Sequence, residues 1–217
     1  MPPKTVLAFD TSAAHCAAAL LLPDGKCLTR NEEMAKGQAE RLMPLLQELL
    51  DEAGIKWADL DLIGVGTGPG NFTGVRISVA AARGLALGLS IPAIGVTTFQ
   101  ALAFGQARPT LIAQDARRGM AYVQAFTPDT AAELLQSGDL PTGFSAPEGT
   151  QVIGELAELY ASQHGLTVAG PRHPLAEAIA RVALTKADHP QERPAPFYMR
   201  GADAAPPSDP PPVILDA

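Results

Sequence analysis

Cysteine is scarce in this chain of 217 residues, with only Cys16 and Cys27. Two are too few for a disulfide framework. They fall on consecutive predicted strands around the turn Pro23-Asp24-Gly25. Cys27 then faces Leu21, which leaves Cys16 too far along the strand to bond it. Both are expected as free thiols, which fits a reducing compartment. Positive charge is also short. Lys and Arg number 16 against 23 Asp and Glu, for a net charge of −7. A protein that grips an RNA backbone by itself usually shows a basic face, so this balance favours a small-molecule site or a protein partner. Long apolar runs are missing too. No stretch approaches the ~18 residues that cross a bilayer, and MPPKTVLAFD lacks the charged start and unbroken apolar core of a signal peptide. A cytoplasmic location is expected.

Several kinds of chemistry lack their residues. His15, His164, His173 and His189 show no H-x-x-x-H spacing, and the cysteines do not complete a ligand set, so no metal site is expected. There is no G-x-S-x-G nucleophile elbow. What the chain does have is core material, with 47% hydrophobic residues, and many loops, with 20 Gly and 20 Pro. It can fold without help from metals or disulfides.

The pattern opens as an antiparallel meander, with strands over 5–9, 16–22 and 26–33. Residues 37–53 read as a helix. Leu42, Leu45, Leu46, Leu49, Leu50 and Ala53 form one apolar stripe, and Gly54 stops it. Pro44 inside the pattern marks a kink or a first turn. A strand over 62–66 feeds a glycine-rich loop, and Asn71 caps a helix over 71–88. A strand follows over 91–96, and Thr97 or Thr98 caps a short helix through 104. Strands over 110–114 and 120–126 are joined by a charged turn at 115–119. The pattern weakens over 127–150. Later helices are expected over 155–163 and 175–187. Eight of the 20 prolines follow His189, and 201–217 reads as a mobile tail. The class is therefore α/β. A boundary near 104 separates an N-terminal lobe, 1–104, from a C-terminal lobe, 105–200. No internal repeat has a fixed period.

The loop GVGTGPGNFTGVRI, residues 64–77, is the natural place to look for a phosphate. It lacks the Lys of a P-loop. It also misses G-x-G-x-x-G in every frame, because Pro69, Asn71 and Thr73 stand where the third glycine belongs. The free N–H groups at the start of the 71–88 helix still suit an anion. With Asp10, Thr11, Ser12, Gly68, Gly70 and Arg76 they make a candidate nucleotide or anion site. A turn that needs glycine for close contact is the commoner reading. The helix behind it is rich in small residues. Glycine inside a helix costs up to ~1 kcal/mol against alanine, so Gly74, Gly84 and Gly88 point to another backbone close by. That backbone belongs either to the 37–53 helix or to another subunit. Tyr198 and Arg200 stand out in the Pro-rich end as residues able to dock it onto the body.

VLAFDTS, GVGTGPGNFTGVRISVAAARGLALG, IPAIGVTT, QDARRG and PAPFYMR together resemble the TsaB (YeaZ) family, which serves threonylcarbamoyladenosine synthesis on tRNA. The resemblance covers 4–125 densely and returns near 196–200. It implies a two-lobed fold of the actin/Hsp70/sugar-kinase class and kinship with the catalytic subunit TsaD. It implies a non-catalytic scaffold that binds TsaD and TsaE family proteins, meets tRNA only through that complex, and forms a homodimer when alone. The contact surface would lie on the helices at 37–53 and 71–88, with Leu42, Leu45, Leu46, Leu49, Gly74, Val75, Ser78, Val79, Ala82 and Leu85 as candidate partner-binding residues. No cofactor is required of such a subunit, although ATP or ADP fits a subunit interface. Two positions depart from the family. Gln38 stands where many members keep His, and Met120 stands where many keep Glu. The competing reading is an enzyme, either a small-molecule kinase built around Asp10 or, less favoured, a glycoprotease.

Overall fold

The computed structural model describes residues 4–126 and 130–200. Each half of the chain builds one five-stranded sheet. The first runs β3-β2-β1-β4-β5, from β1 (Val6–Asp10), β2 (His15–Leu21), β3 (Cys27–Glu33), β4 (Leu62–Gly66) and β5 (Ala93–Val96). β1 pairs antiparallel with β2 and parallel with β4. As the central strand, β1 is buried on both faces, so VLAFD reads as a continuous apolar run rather than an alternation. Its period of two still sorts the faces. Leu7 and Phe9 join one core with α1 (Gln38–Ala53) and α2 (Phe72–Leu89), while Val6 and Ala8 join another with α5 (Leu175–Lys186).

The second sheet runs β10-β9-β6-β7-β8, from β6 (Thr110–Arg117), β7 (Met120–Phe126), β8 (Glu133–Gln136), β9 (Gln151–Ile153) and β10 (Thr167–Val168). This is the order of the first sheet again. An antiparallel meander of three strands is followed by two parallel strands beyond the first. The repeat lies in the topology, and unequal element lengths hide it from any fixed sequence period. α4 (Ala157–His164) packs Tyr160 on one face of this sheet, where Leu111, Ala113, Val123 and Val152 meet it.

The two halves exchange their last helices. α3 (Thr98–Ala103) follows β5 but sets Phe99 against Ile112 and Ile153 of the second sheet. α5 follows β10 but lies on the first sheet, with Ile179 and Ala183 over Ala8 and Leu62. A C-terminal lobe over 105–200 is therefore corrected: 175–186 belong to the first lobe. The small residues of α5, Ala176, Ala180 and Ala183, let it lie close to the strands.

Most local readings hold within a residue or two. Asn71 caps α2, accepting from the amides of Thr73 and Gly74. Thr97 caps α3. Leu21 faces Cys27 across the β2–β3 hairpin, and both cysteines are free thiols. α1 starts at Gln38, so Pro44 lies well inside it rather than in its first turn. The weak stretch at 127–150 holds β8, and the expected tail over 201–217 lies outside the described residues. One expectation needs correction. α2, Phe72–Leu89, is long and apolar enough to cross a membrane by length and composition. Its inner face, however, lies in the core of the first lobe, and Arg76 and Arg83 interrupt the span.

Candidate functional site

Asp10, Thr11 and Ser12 leave the end of β1 as a turn that is almost fully buried. Asp10 Oδ1 accepts from the Ser12 amide and the Ser12 hydroxyl, each at 2.8 Å, and lies 2.8 Å from His15 Nε2. Asp10 Oδ2 is buried and has no hydrogen-bond partner. The glycine loop is wrapped around this turn. A β-carbon on Gly66 would overlap Asp10 Oδ2, one on Gly70 would overlap the Ser12 carbonyl, and one on Gly74 the Thr11 carbonyl. The Thr11 hydroxyl donates to the Gly74 carbonyl at 2.7 Å, and the Asn71 amide donates to the Ser12 carbonyl at 2.6 Å. Gly70 and Gly74 let two backbones touch, and Gly66 leaves room for the Asp10 carboxylate.

This packing changes how the anion candidates read. Asp10, Thr11, Ser12, Gly68 and Gly70 lie near one another, packed together rather than around an open cradle. The first amides of α2 are taken by the Asn71 side chain. Arg76 turns away from the group. Its guanidinium lies 3.8 Å from the centroid of the Phe72 ring and donates from Nε to the Tyr198 hydroxyl at 2.9 Å.

The Pro-rich end crosses the carboxyl edge of the first sheet. The Phe197 amide donates to the Thr67 carbonyl at 2.8 Å, and Pro194 lies over Gly95. Arg83 Nε donates to the Pro194 carbonyl at 2.7 Å. Arg200 reaches the second lobe at the Ala116 carbonyl, 3.3 Å away, and Met199 packs with Ile112 and Ile153. Tyr198 and Arg200 thus dock this segment onto the body. The irregular end of β6, where the register shifts between Asp115 and Arg117, is held by Asp115 Oδ1, which accepts from the Arg117 amide.

The proposed contact residues on α1 and α2 are largely inside the protein. Leu42, Leu45, Leu46 and Leu49 are buried against the sheet, as are Gly74, Val75, Ser78, Val79 and Ala82, and Leu85 is half-buried. These nine buried positions are corrected: they fix the helices to their own sheet and are not available to a partner. The apolar stripe that periodicity finds is the inward face. The backbone that Gly74 admits is the Thr11–Ser12 turn of the same chain. Gly84 and Gly88 have open space beyond them.

The outward face of α2 is what the stripe missed. Ala80, Gly84 and Gly88 recur every fourth residue and are exposed, and Leu87 beside them is 79% exposed. Met43 of α1 is also exposed. A groove lined by Arg83, Leu87, Ile91, Ala187, Arg193 and Pro194 continues this face toward the Pro-rich segment. The four-residue spacing of the small residues was the signal that could have located it.

Known proteins agree with this architecture. The family model for TsaD, tRNA N6-adenosine threonylcarbamoyltransferase, matches residues 30–134. TsaB, the tRNA threonylcarbamoyladenosine biosynthesis protein of Escherichia coli, is 38% identical over 122 residues. That match covers 54% of this chain and 52% of the relative, so the chain spans about half the length of this curated protein. An uncharacterized protein of Mycobacterium tuberculosis is 31% identical over 216 residues, covering 94% of this chain and 95% of the relative. Among solved structures, YeaZ from Pseudomonas aeruginosa superposes with a TM-score of 0.70 at 29% identity, over 84% of this chain and 92% of that one. Component A of (R)-2-hydroxyglutaryl-CoA dehydratase from Acidaminococcus fermentans, 9% identical with a TM-score of 0.54 over 86% of this chain and all of that one, shares the fold alone. The fold is the two-lobed α/β architecture of the actin-like ATPases, and in sequence and in structure the chain is similar to the TsaB (YeaZ) proteins.

Proposed function

We propose that this chain is a non-catalytic partner subunit in threonylcarbamoyladenosine synthesis on tRNA, supporting a catalytic subunit of the TsaD family. The observation that carries this reading is the outward face of α2. Thirteen of its 18 residues are not buried by this chain, because only Gly74, Val75, Ser78, Val79 and Ala82 are. An apolar face left in water on a folded domain marks a contact surface. Small residues spaced by four let a second helix come close to the backbone. Ala80, Gly84 and Gly88 with Leu87 are the docking residues in this reading, and Met43 extends the surface onto α1. A second copy of the chain uses the same face when the partner is absent. The subunit works in the cytoplasm, with a TsaE family protein as a further partner and tRNA met through the complex. It needs no cofactor of its own, and a nucleotide, where one enters, sits at a subunit interface.

The packing around Asp10 favours this scaffold over a small-molecule kinase. A phosphate-binding loop offers free amides. Here Asn71 takes them, and the Pro-rich segment covers the edge of the sheet.

Reconstitution tests the proposal. The purified chain alone should leave tRNA unmodified. Adding TsaD and TsaE family proteins with threonylcarbamoyl-adenylate and ATP should give the modified nucleoside, read by mass spectrometry, and omitting the chain should lower the yield. Modification by the chain alone would overturn the scaffold reading.

A further inference from the structure

In open α/β sheets, ligands bind in a crevice outside the carboxyl ends of the parallel strands. In this chain the carboxyl ends of β4 and β5 are covered by its own residues 190–200, at Thr67 and Gly95. One residue in from Thr67, the Asp10 carboxylate packs on Gly66 with Oδ2 unpartnered. The covering segment is lightly held. It forms no helix or strand, and of residues 191–200 only Pro194 is buried. It is anchored by separate hydrogen bonds, from the Phe197 amide to Thr67, Arg83 to the Pro194 carbonyl, Arg76 to the Tyr198 hydroxyl, and Arg200 to the Ala116 carbonyl, with long bonds from Gln191 to the Lys186 and His189 carbonyls at its start. Met199 and the Phe72–Tyr198 ring pair, with centroids 4.9 Å apart, add apolar contact. Fewer and more exposed contacts mean a smaller free energy of local opening than for the sheet beneath.

We propose that residues 190–200 are a releasable clasp. It lets go as a unit while both sheets stay folded, and its release opens the crevice around Thr67 and Asp10. The clasp also ties the lobes together, since Arg76, Arg83 and Thr67 hold it to the first and Ala116 and Ile112 hold it to the second. Release therefore frees the lobes to move as well as baring the strand ends.

Amide hydrogen exchange on the full chain, resolved residue by residue by NMR, tests this. The Phe197 amide should exchange at least about 100-fold faster than those of Ile63 and Val65 in β4, because only the clasp must open. Arg83→Ala removes a charge-assisted hydrogen bond and should speed Phe197 about tenfold more, leaving β4 unchanged. Tyr198→Phe, a milder change that deletes only the acceptor for Arg76, should act in the same direction by a few-fold. A Phe197 amide that exchanges at the β4 rate, or variants that speed β4 equally, would make the segment part of the core and end the proposal.

Discussion

Gly66 and Asp10 touch with no room for a side chain between them. The β4 backbone at Gly66 lies against Asp10 Oδ2, and any β-carbon there would overlap the carboxylate. The same is true of Gly74 against the Thr11 carbonyl. Alanine at Gly74 must push apart two buried backbones, and alanine at Gly66 must displace the buried, hydrogen-bonded Asp10 carboxylate; each costs roughly 2–4 kcal/mol. Gly66→Ala and Gly74→Ala should each lower the thermal midpoint by several degrees, by calorimetry. Gly84→Ala is the control. Nothing lies within 4 Å of its added carbon, and helix propensity alone should stabilise the chain by up to ~1 kcal/mol. Equal effects at Gly66 and Gly84 would show that the loop does not pack as described.

The partner surface separates from the core in the same way. Ser78 is buried, and its hydroxyl reaches the Gly66 carbonyl at 3.2 Å and the Val75 carbonyl at 3.1 Å. Ser78→Leu should therefore damage the fold rather than report on association. Gly84→Leu and Leu87→Glu change only the outward face. They should weaken self-association and binding to a TsaD family protein by at least about tenfold, the usual scale for a central interface residue, with circular dichroism unchanged. An unaltered sedimentation profile for both would move the contact surface elsewhere.

Local chemistry was legible because each signal acts within a few residues. Asn71 before an apolar helix, Gly54 after one and Pro23-Asp24-Gly25 between strands each specify a cap or turn on their own. The glycine loop was legible only in part. Its failure to match phosphate motifs could be counted, but the Asp10–Ser12 turn that fills it lies some 55 residues away and joins it only through β1–β4 pairing. The helix exchange between lobes left no local trace, since the apolar residues of α3 and α5 do not say which sheet they will meet. For α1 and α2, periodicity marked the side that meets the sheet. An inward stripe and a partner stripe look alike in sequence until burial is known.

The thiols give a simple chemical check. Burial, with Glu32 adding to it, raises the Cys16 thiol to about 11, and burial with Glu177 raises Cys27 to about 11. At pH 8 only about one molecule in a thousand then carries either thiolate, against roughly a quarter for a free thiol of ordinary pKa. Both cysteines should resist alkylation by iodoacetamide in the folded chain and react together once denaturant unfolds it, as counted by mass spectrometry. Fast labelling of either thiol in native buffer would contradict its position.

Arg41 sets an acid limit on the tie between β3 and α1. Its Nε and one terminal nitrogen donate to both oxygens of Glu32 at 2.7 and 2.6 Å, and it also holds Glu48 at 2.6 and 2.7 Å. These hydrogen bonds place the Glu32 and Glu48 carboxyls below the usual glutamate range and raise the guanidinium further. The sign follows from linkage. A carboxyl that releases its proton more readily when folded stabilises the fold fully above its unfolded pKa, ~4.3, and loses that contribution as pH falls through the lower folded value. Stability should thus decline below about pH 4.5, and Arg41→Ala should flatten that decline. The group is solvent-exposed, so added salt should flatten it too. A denaturation midpoint followed from pH 7 to pH 3 at two salt concentrations measures both effects. An identical acid slope in wild type and Arg41→Ala would show that the Arg41 cluster does not stabilise the fold.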